Sequence, residues 1–162
     1  MKSRFIASIA LGAAVVLGAT GCNMLAPQAT TIEYSASDGR NVPESGPLKV
    51  RNALIVANED GSLGNLIAGV VNSTDDDLVL NVGIGSDLQT IPVPARSSVS
   101  LGVTSAPMLF GGLDAKPGSD VQVSFQSGEG EGVEVAIPIL DGTLPHYEEF
   151  VPTPLPTPTA TP

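Results

Sequence analysis

The feature that most constrains the fold is a series of seven short apolar segments, separated by clusters of turn-forming residues. This series indicates a β-rich fold. The segments lie at residues 48–57, 63–72, 78–84, 91–94, 97–103, 120–127 and 132–140. Runs such as LKVRNALIVA and DVQVSFQS are rich in β-branched residues and alternate with a period near two, which is typical of strands. Past the N-terminus, no window shows the 3.6-residue period of an amphipathic helix. We therefore expect about seven β-strands, the last two joined by a hairpin loop at SGEGEG.

Short strands in this number favour two sheets packed face to face. Seven of them within about 100 residues predict an all-β sandwich of the immunoglobulin or cupredoxin type, here over residues 47–142. Pro92 and Pro94 predict an edge strand, because a missing backbone N–H is harmless there. The chain has no tryptophan and few other aromatic residues. We therefore expect a core of Val, Leu and Ile.

Both flanks of this domain read as irregular. Residues 22–46 are polar, have no sustained period, and predict a flexible tether. Residues 143–162 predict a disordered tail rich in Pro and Thr, since the last twelve residues hold five of the 14 prolines. Such a tract favours extended polyproline II. A spacer, a site of sugar attachment on Thr and a plain disordered tail all remain open.

The N-terminus reads as an export signal that ends at the only cysteine. Lys2 and Arg4 precede thirteen largely apolar residues, 5–17, which are too few to span a bilayer. Small residues then lead to Cys22, in a pattern that resembles the bacterial lipobox. We predict a lipoprotein signal peptide at 1–21 and a diacylglycerol anchor on Cys22, which would place the chain on the extracytoplasmic face of the cell membrane. The alternative is an ordinary signal peptide followed by an incidental free cysteine.

The charge balance of the chain excludes one large class of partners. Removal of residues 1–21 leaves five basic residues against 17 acidic ones. So acidic a protein repels phosphate backbones and anionic lipid, so nucleic-acid binding is not expected. The remaining partners are the membrane, through the lipid on Cys22, and another protein of the envelope.

No set of residues for catalysis can be assembled. The single histidine, His146, follows the last predicted strand, and nothing in the sequence holds it beside a serine nucleophile. Phosphate-binding and dinucleotide-binding glycine motifs are absent. The run 75–77 could offer carboxylates to Ca²⁺, but Asp is an ordinary turn residue and the spacing matches no calcium loop. We expect no enzyme, no catalytic residue and no cofactor.

From residue 48 to 140 the order of features resembles a known family. The stretch LIAGVVNSTDDDLVLNV contains a strand, an Asn-Ser-Thr turn, an acidic patch and a second strand. The stretch IPVPARSSVSLGVTSAPMLFGGLDAKPG continues with a Pro-Ala turn, a strand, an M-L-x-G-L-like segment and a Pro-Gly turn. This pattern is similar to the PCu(A)C copper-chaperone family, and within it to the lipoprotein branch of actinobacteria. The resemblance implies a cupredoxin-like β-sandwich.

The resemblance also implies which residues would bind copper. Family members hold Cu(I) with Met sulfurs and imidazoles, which are soft ligands. Their closing His-x-Met motif falls on residues 106–108, where Met108 matches but Ala106 stands in place of the histidine. The segment SDLQTIPVP, which would carry the other ligands, contains neither Met nor His. The remaining copper candidates are Met108 and His146, and we expect no metal site.

Two functions remain open on this reasoning. The first is a lipid-anchored extracytoplasmic protein with a non-catalytic binding or accessory role in the cell envelope. The alternative is a copper-binding chaperone of the envelope. That alternative requires Met108 and His146 to meet across the sandwich, with ligands from a second molecule if needed.

Overall fold

The computed structural model describes residues 2–25 and 34–153. The chain divides into two compact units, Met1–Tyr34 and Ser35–Pro162. Among its described residues, the first contains one helix, α1, at Lys2–Leu25, whose backbone includes Cys22 and covers almost all of the predicted signal peptide. Within the described residues, no helix combines the length and the apolar character that a membrane span requires. Residues 26–33 of the predicted tether and 154–162 of the predicted tail lie outside the described residues.

Over its described residues, 35–153, the second unit contains eight β-strands and a short 3-10 helix at Glu148–Phe150. The strands are β1 Leu48–Ala57, β2 Leu63–Asn72, β3 Leu78–Ile84, β4 Asp87–Val93, β5 Ser98–Leu101, β6 Met108–Gly111, β7 Asp120–Ser127 and β8 Val133–Leu140. Each of the seven predicted strands corresponds to one of these, and β7 and β8 form the expected antiparallel hairpin. The strand that was not predicted is β6, which is only four residues long.

The strands pair in the order β4-β3-β7-β8-β1-β2-β5, and β6 pairs with β2 beside β5. Strand β8 joins the two halves: it is antiparallel to β7, and its end runs parallel to β1 at Ile55–Ile139. The halves bury one shared core. This arrangement is the all-β sandwich that the sequence predicted.

The core lies between the two halves and is mainly aliphatic. Val50, Leu66 and Leu80 are buried there, as are Phe110 and Phe125, two of the few aromatic residues. Strand β1 is buried on both faces over the run ALIVA. Its residues 53, 55 and 57 face the shared core, whereas 54 and 56 face a second, smaller cluster. A central strand covered on both faces requires such an uninterrupted apolar run.

The folded region is wider than the predicted range 47–142. At its N-terminal side, Arg40 pairs with Ala53 through two backbone hydrogen bonds, and Val42 is buried in the core. At its C-terminal side, residues 141–151, which we call the strap, pack Tyr147, Phe150 and Val151 against the second cluster. Residues 35–46 and 143–151, which the sequence assigned to the tether and the tail, therefore make contacts with the folded unit. These apolar side chains are too widely spaced in sequence to register as a strand or helix.

The hairpin between β3 and β4 corrects one more boundary. Ile84 pairs with Asp87, so the loop is only Gly85 and Ser86, and the predicted break SDLQT is mostly strand. Gly85 has a φ of 57°, as the first position of a type II′ hairpin turn requires. Among the described strands β4 pairs only with β3, which confirms the edge position predicted from Pro92.

Candidate functional site

The two segments that would carry copper ligands by resemblance lie side by side. Strand β4 forms the edge of one half of the sandwich, and β6 lies at the edge of the other half. The Gln89 side-chain amide crosses between them and donates a hydrogen bond of 2.6 Å to the Leu109 carbonyl. We call residues 87–93 and 108–111 the β4–β6 rim. The sequence pointed to both segments, but only the tertiary structure brings them together.

Met108 is the soft donor at this rim, and its side chain belongs to the core. It pairs with Leu66, lies on the same face of the sheet, and is 8% exposed. Residues 34–153 contain no second methionine and no cysteine. The other polar side chains of the rim are those of Asp87, Gln89 and Thr90, whose oxygen atoms suit hard cations better than Cu(I).

His146 lies on the other side of the sheet that carries Met108. Its ring contacts Tyr147 at a centroid distance of 4.2 Å, and the Tyr147 ring packs on the cluster of Leu54 and Val56. That cluster covers the outer face of β1, whereas Met108 faces the inner core. The sheet separates the two side chains, so the contact required of Met108 and His146 within one molecule does not form.

The strap is held by polar contacts at two points. The Tyr147 hydroxyl donates to Asp38 Oδ2 at 2.8 Å, and Asn65 Nδ2 donates to the Phe150 carbonyl at 2.8 Å. Burial of the phenol, followed by its bond to Asp38, raises the pKa of Tyr147 to about 12. The sequence offered little signal for this contact, because its partners lie 109 positions apart.

The aspartate run 75–77 closes a turn. Asp75 accepts two hydrogen bonds from the Arg96 guanidinium at 2.8 and 2.9 Å, and this contact lowers the pKa of Asp75. Asp77 accepts from the Ala95 backbone N–H at 2.8 Å. These carboxylates therefore join the β2–β3 turn to the β4–β5 loop, in keeping with the turn interpretation of this run.

Buried Asn72 organises the same pair of loops. Its Nδ2 donates to the carbonyls of Asp76, Val93 and Pro94 at 2.8 to 3.1 Å. Its Oδ1 accepts from the backbone N–H and the hydroxyl of Thr74. All hydrogen-bonding capacity of the amide is used, which is the condition for burying it without a large cost.

An open groove of about 480 Å³ lies at one end of the sandwich. Glu59, Lys116 and Asp141 line it together with residues of the strap. Asp141 accepts from the Thr143 backbone N–H, which lowers its pKa. Within the described ranges, no three His, Cys, Asp or Glu side chains are placed to share a metal ion.

Comparison with solved structures identifies the fold. No family model and no curated protein matches the chain. The apo PCuAC domain from PmoF1 is similar over 62% of this chain and 98% of that domain, with 17% identity and a TM-score of 0.51. The copper-bound PCuAC domain from PmoF2 is similar over 63% of this chain and 98% of that domain, with 16% identity and a TM-score of 0.49. The similarity to the PmoF1 domain shows a PCuAC-like fold, as the sequence resemblance implied.

Proposed function

We propose that this chain is a lipid-anchored protein of the bacterial cell envelope, with a non-catalytic binding or accessory role on the extracytoplasmic face. Its sandwich has a PCuAC-like fold. The observation that carries the proposal is the β4–β6 rim, where the Gln89–Leu109 hydrogen bond stands between the two segments that match the family's ligand positions. On this proposal the chain belongs to the actinobacterial lipoprotein branch and has lost most copper ligands.

The proposed anchor rests on the N-terminal sequence. Two basic residues, a short apolar run and small residues before Cys22 are the features that a lipoprotein signal requires. Two acyl chains on that cysteine would hold the protein stably, since each buried CH₂ contributes about 0.8 kcal/mol. Nothing else in the chain requires a thiol: Cys22 has no second cysteine with which to form a disulfide within the chain.

The environment of His146 supports a role without catalysis. A nucleophilic mechanism requires the histidine within about 3 Å of the nucleophile and oriented by a third group. His146 is exposed and contacts the Tyr147 ring, and none of its hydrogen bonds within the described residues joins it to a serine or carboxylate. The titratable side chains whose pKa values are shifted, namely Asp60, Asp75, Arg96, Asp141 and Tyr147, are held in turns or in the strap.

Copper binding is the second candidate, and the comparison with PCuAC domains supports it more than it supports an unspecified accessory role. Met108 also stands at the position that matches the family's closing methionine. A single buried thioether is a poor Cu(I) site, because that ion prefers two or more soft ligands. Copper binding would therefore require a donor from a second molecule or exposure of Met108.

A Cu(I) titration against a colorimetric chelator separates the two candidates. The free thiol of unlipidated Cys22 would itself bind Cu(I), so the measurement should use full-length protein carrying Cys22→Ser, with and without Met108→Leu. We expect no competition at micromolar chelator from either protein. Stoichiometric competition that Met108→Leu abolishes would overturn the accessory role and establish copper binding at the rim.

A separate test addresses the anchor. We expect wild-type protein from a bacterial host to carry the mass of a diacylglycerol thioether and to partition into detergent. Cys22→Ser should lack the thioether mass, whereas Ser8→Ala in the same helix should retain it. Wild-type protein without that mass would exclude the anchor.

A further inference from the structure

The few basic residues of the folded unit are unevenly distributed. Residues 34–153 contain sixteen of the 17 acidic residues, all but Glu33, and five of the seven basic ones, all but Lys2 and Arg4. Arg96 is paired with Asp75, and Arg40 lies 3.8 Å from Asp120. Lys116 has no carboxylate of residues 34–153 within 4 Å, but it lies in the groove with Glu59 and Asp141. The remaining two, Lys49 and Arg51, have no carboxylate of residues 34–153 within 4 Å.

Lys49 and Arg51 share one face of the sheet with small, uncharged neighbours. They alternate with Val50, which is fully buried in the core, so both point to the outer face of β1. The strand register places four further residues on this face. They are Gly69, Val71, Ser98 and Ser100. We call these six positions the basic face: it carries two positive charges and contains no acidic residue.

We propose that the basic face is the surface that lies against anionic lipid headgroups of the membrane to which the chain is anchored. This inference rests on the proposed anchor at Cys22. The net charge of the folded unit repels such a surface, but repulsion acts least where the local charge is positive. The small residues Gly69, Val71, Ser98 and Ser100 also let both cations reach a layer of phosphates together.

Because the anchor already holds the domain at the membrane, a weak attraction between the basic face and anionic lipid is enough to orient it. A lysine or arginine close to an anionic bilayer contributes about 1 kcal/mol, so two of them favour the docked orientation by roughly 30-fold. Free domains would not bind measurably at that strength. A tethered domain experiences the membrane at an effective concentration in the millimolar range. Lys49 follows Cys22 by 27 positions, a length of chain that reaches at most about 90 Å.

The test measures which face of the anchored domain approaches the bilayer. Full-length lipidated protein receives a fluorescent donor through Ser98→Cys on the basic face or through Gln122→Cys on the exposed outer face of β7. Vesicles of phosphatidylcholine, with or without 30% phosphatidylglycerol, carry an acceptor-labelled lipid. We expect at least twofold greater energy transfer from position 98 than from 122, only on the anionic vesicles, with loss of the difference in 1 M NaCl.

Charge variants identify the residues responsible. Lys49→Glu combined with Arg51→Glu should abolish the difference, whereas Lys116→Glu, which changes an exposed lysine elsewhere, should not. Equal transfer from both positions on anionic vesicles, or a difference that persists on neutral vesicles, would overturn the inference. The inference would also be overturned if energy transfer did not depend on lipid composition and the Lys49→Glu and Arg51→Glu double variant instead lost binding to an acidic envelope protein.

The same samples show separately whether the anchor exists. A lipidated Cys22 cannot react with a maleimide, so wild-type protein should take no label. Labelling of wild-type protein would contradict the anchor, whereas an unlabelled wild type with equal energy transfer would contradict only the basic face.

Discussion

The Tyr147 hydroxyl donates a 2.8 Å hydrogen bond to Asp38 Oδ2 and joins the two segments that flank the sandwich. Asp38 precedes β1, and Tyr147 follows β8 within the strap. The Tyr147 ring is 8% exposed and packs against Leu54 and Val56. Both flanking segments are thus part of the folded unit, and the outer face of β1 depends on them for its cover.

Removal of this hydroxyl should destabilise the protein measurably. Tyr147→Phe keeps the packing of the ring and loses one hydrogen bond, so we expect a loss of about 1 kcal/mol in the free energy of unfolding. Tyr147→Ala also loses the packing and should cost about 3 kcal/mol or more. Urea denaturation measures both, and Tyr34→Phe at an exposed position is the control. Equal stability of Tyr147→Phe and wild type would show that the hydroxyl contributes nothing.

The raised pKa of Tyr147 makes stability depend on alkaline pH. Because the folded pKa is about 12 and the ordinary value is 10.0, the folded state retains the phenolic proton when the unfolded state has lost it. The contribution is therefore complete below pH 10 and is lost between pH 10 and 12, on the order of 2 kcal/mol. Urea denaturation at pH 9 and 11.5 should show this decrease in wild type and a smaller one in Tyr147→Phe.

A direct titration checks the same pKa. In a Tyr34→Phe background the absorbance at 295 nm reports Tyr147 alone, since the chain has two tyrosines and no tryptophan. We expect a midpoint well above pH 10 in folded protein and near 10 in urea. Identical midpoints would contradict the buried, hydrogen-bonded phenol.

Substitution of Asn72 should lower the free energy of unfolding more than substitution of most other polar residues. Asn72→Ala removes the amide that donates to the carbonyls of Asp76, Val93 and Pro94 and accepts from the backbone N–H and hydroxyl of Thr74, so we expect a loss of about 3 kcal/mol in the free energy of unfolding. The neighbouring exposed residue provides a control, because Ser73→Ala should change it by less than about 0.5 kcal/mol. A loss below about 1 kcal/mol for Asn72→Ala would mean that water replaces the amide.

Pro92 should protect an edge rather than weaken a sheet. Counted from the Ile84–Asp87 pair that closes the hairpin, Pro92 occupies a position whose N–H would point away from β3. Pro92→Val should therefore change stability by less than about 0.5 kcal/mol but increase self-association through the free edge of β4. Ile91→Pro, one residue earlier, should cost about 3 kcal/mol. Sedimentation velocity measures self-association, and urea denaturation measures stability. If Pro92→Val changed stability strongly and Ile91→Pro did not, the backbone nitrogen of residue 92 would be the one that faces β3.

The local pattern of the sequence determined most of this fold. Alternation with a period of two, β-branched residues and turn clusters depend only on neighbours in the chain, and they located β1 to β5, β7 and β8. Pro92 identified an edge because a ring nitrogen has no proton to donate. The resemblance on residues 48–140 implied the sandwich that the comparison with PmoF1 shows.

Tertiary structure alone decided the rest, because those features depend on residues far apart in sequence. Strand β6 is four residues long and pairs across the sheet with β2, so its own pattern carries little signal. The strap is ordered because a few apolar side chains fill the outer face of β1. The sheet separates Met108 from His146, and it gathers Lys49 and Arg51 on a face without acids. Composition could report only that the chain as a whole is acidic.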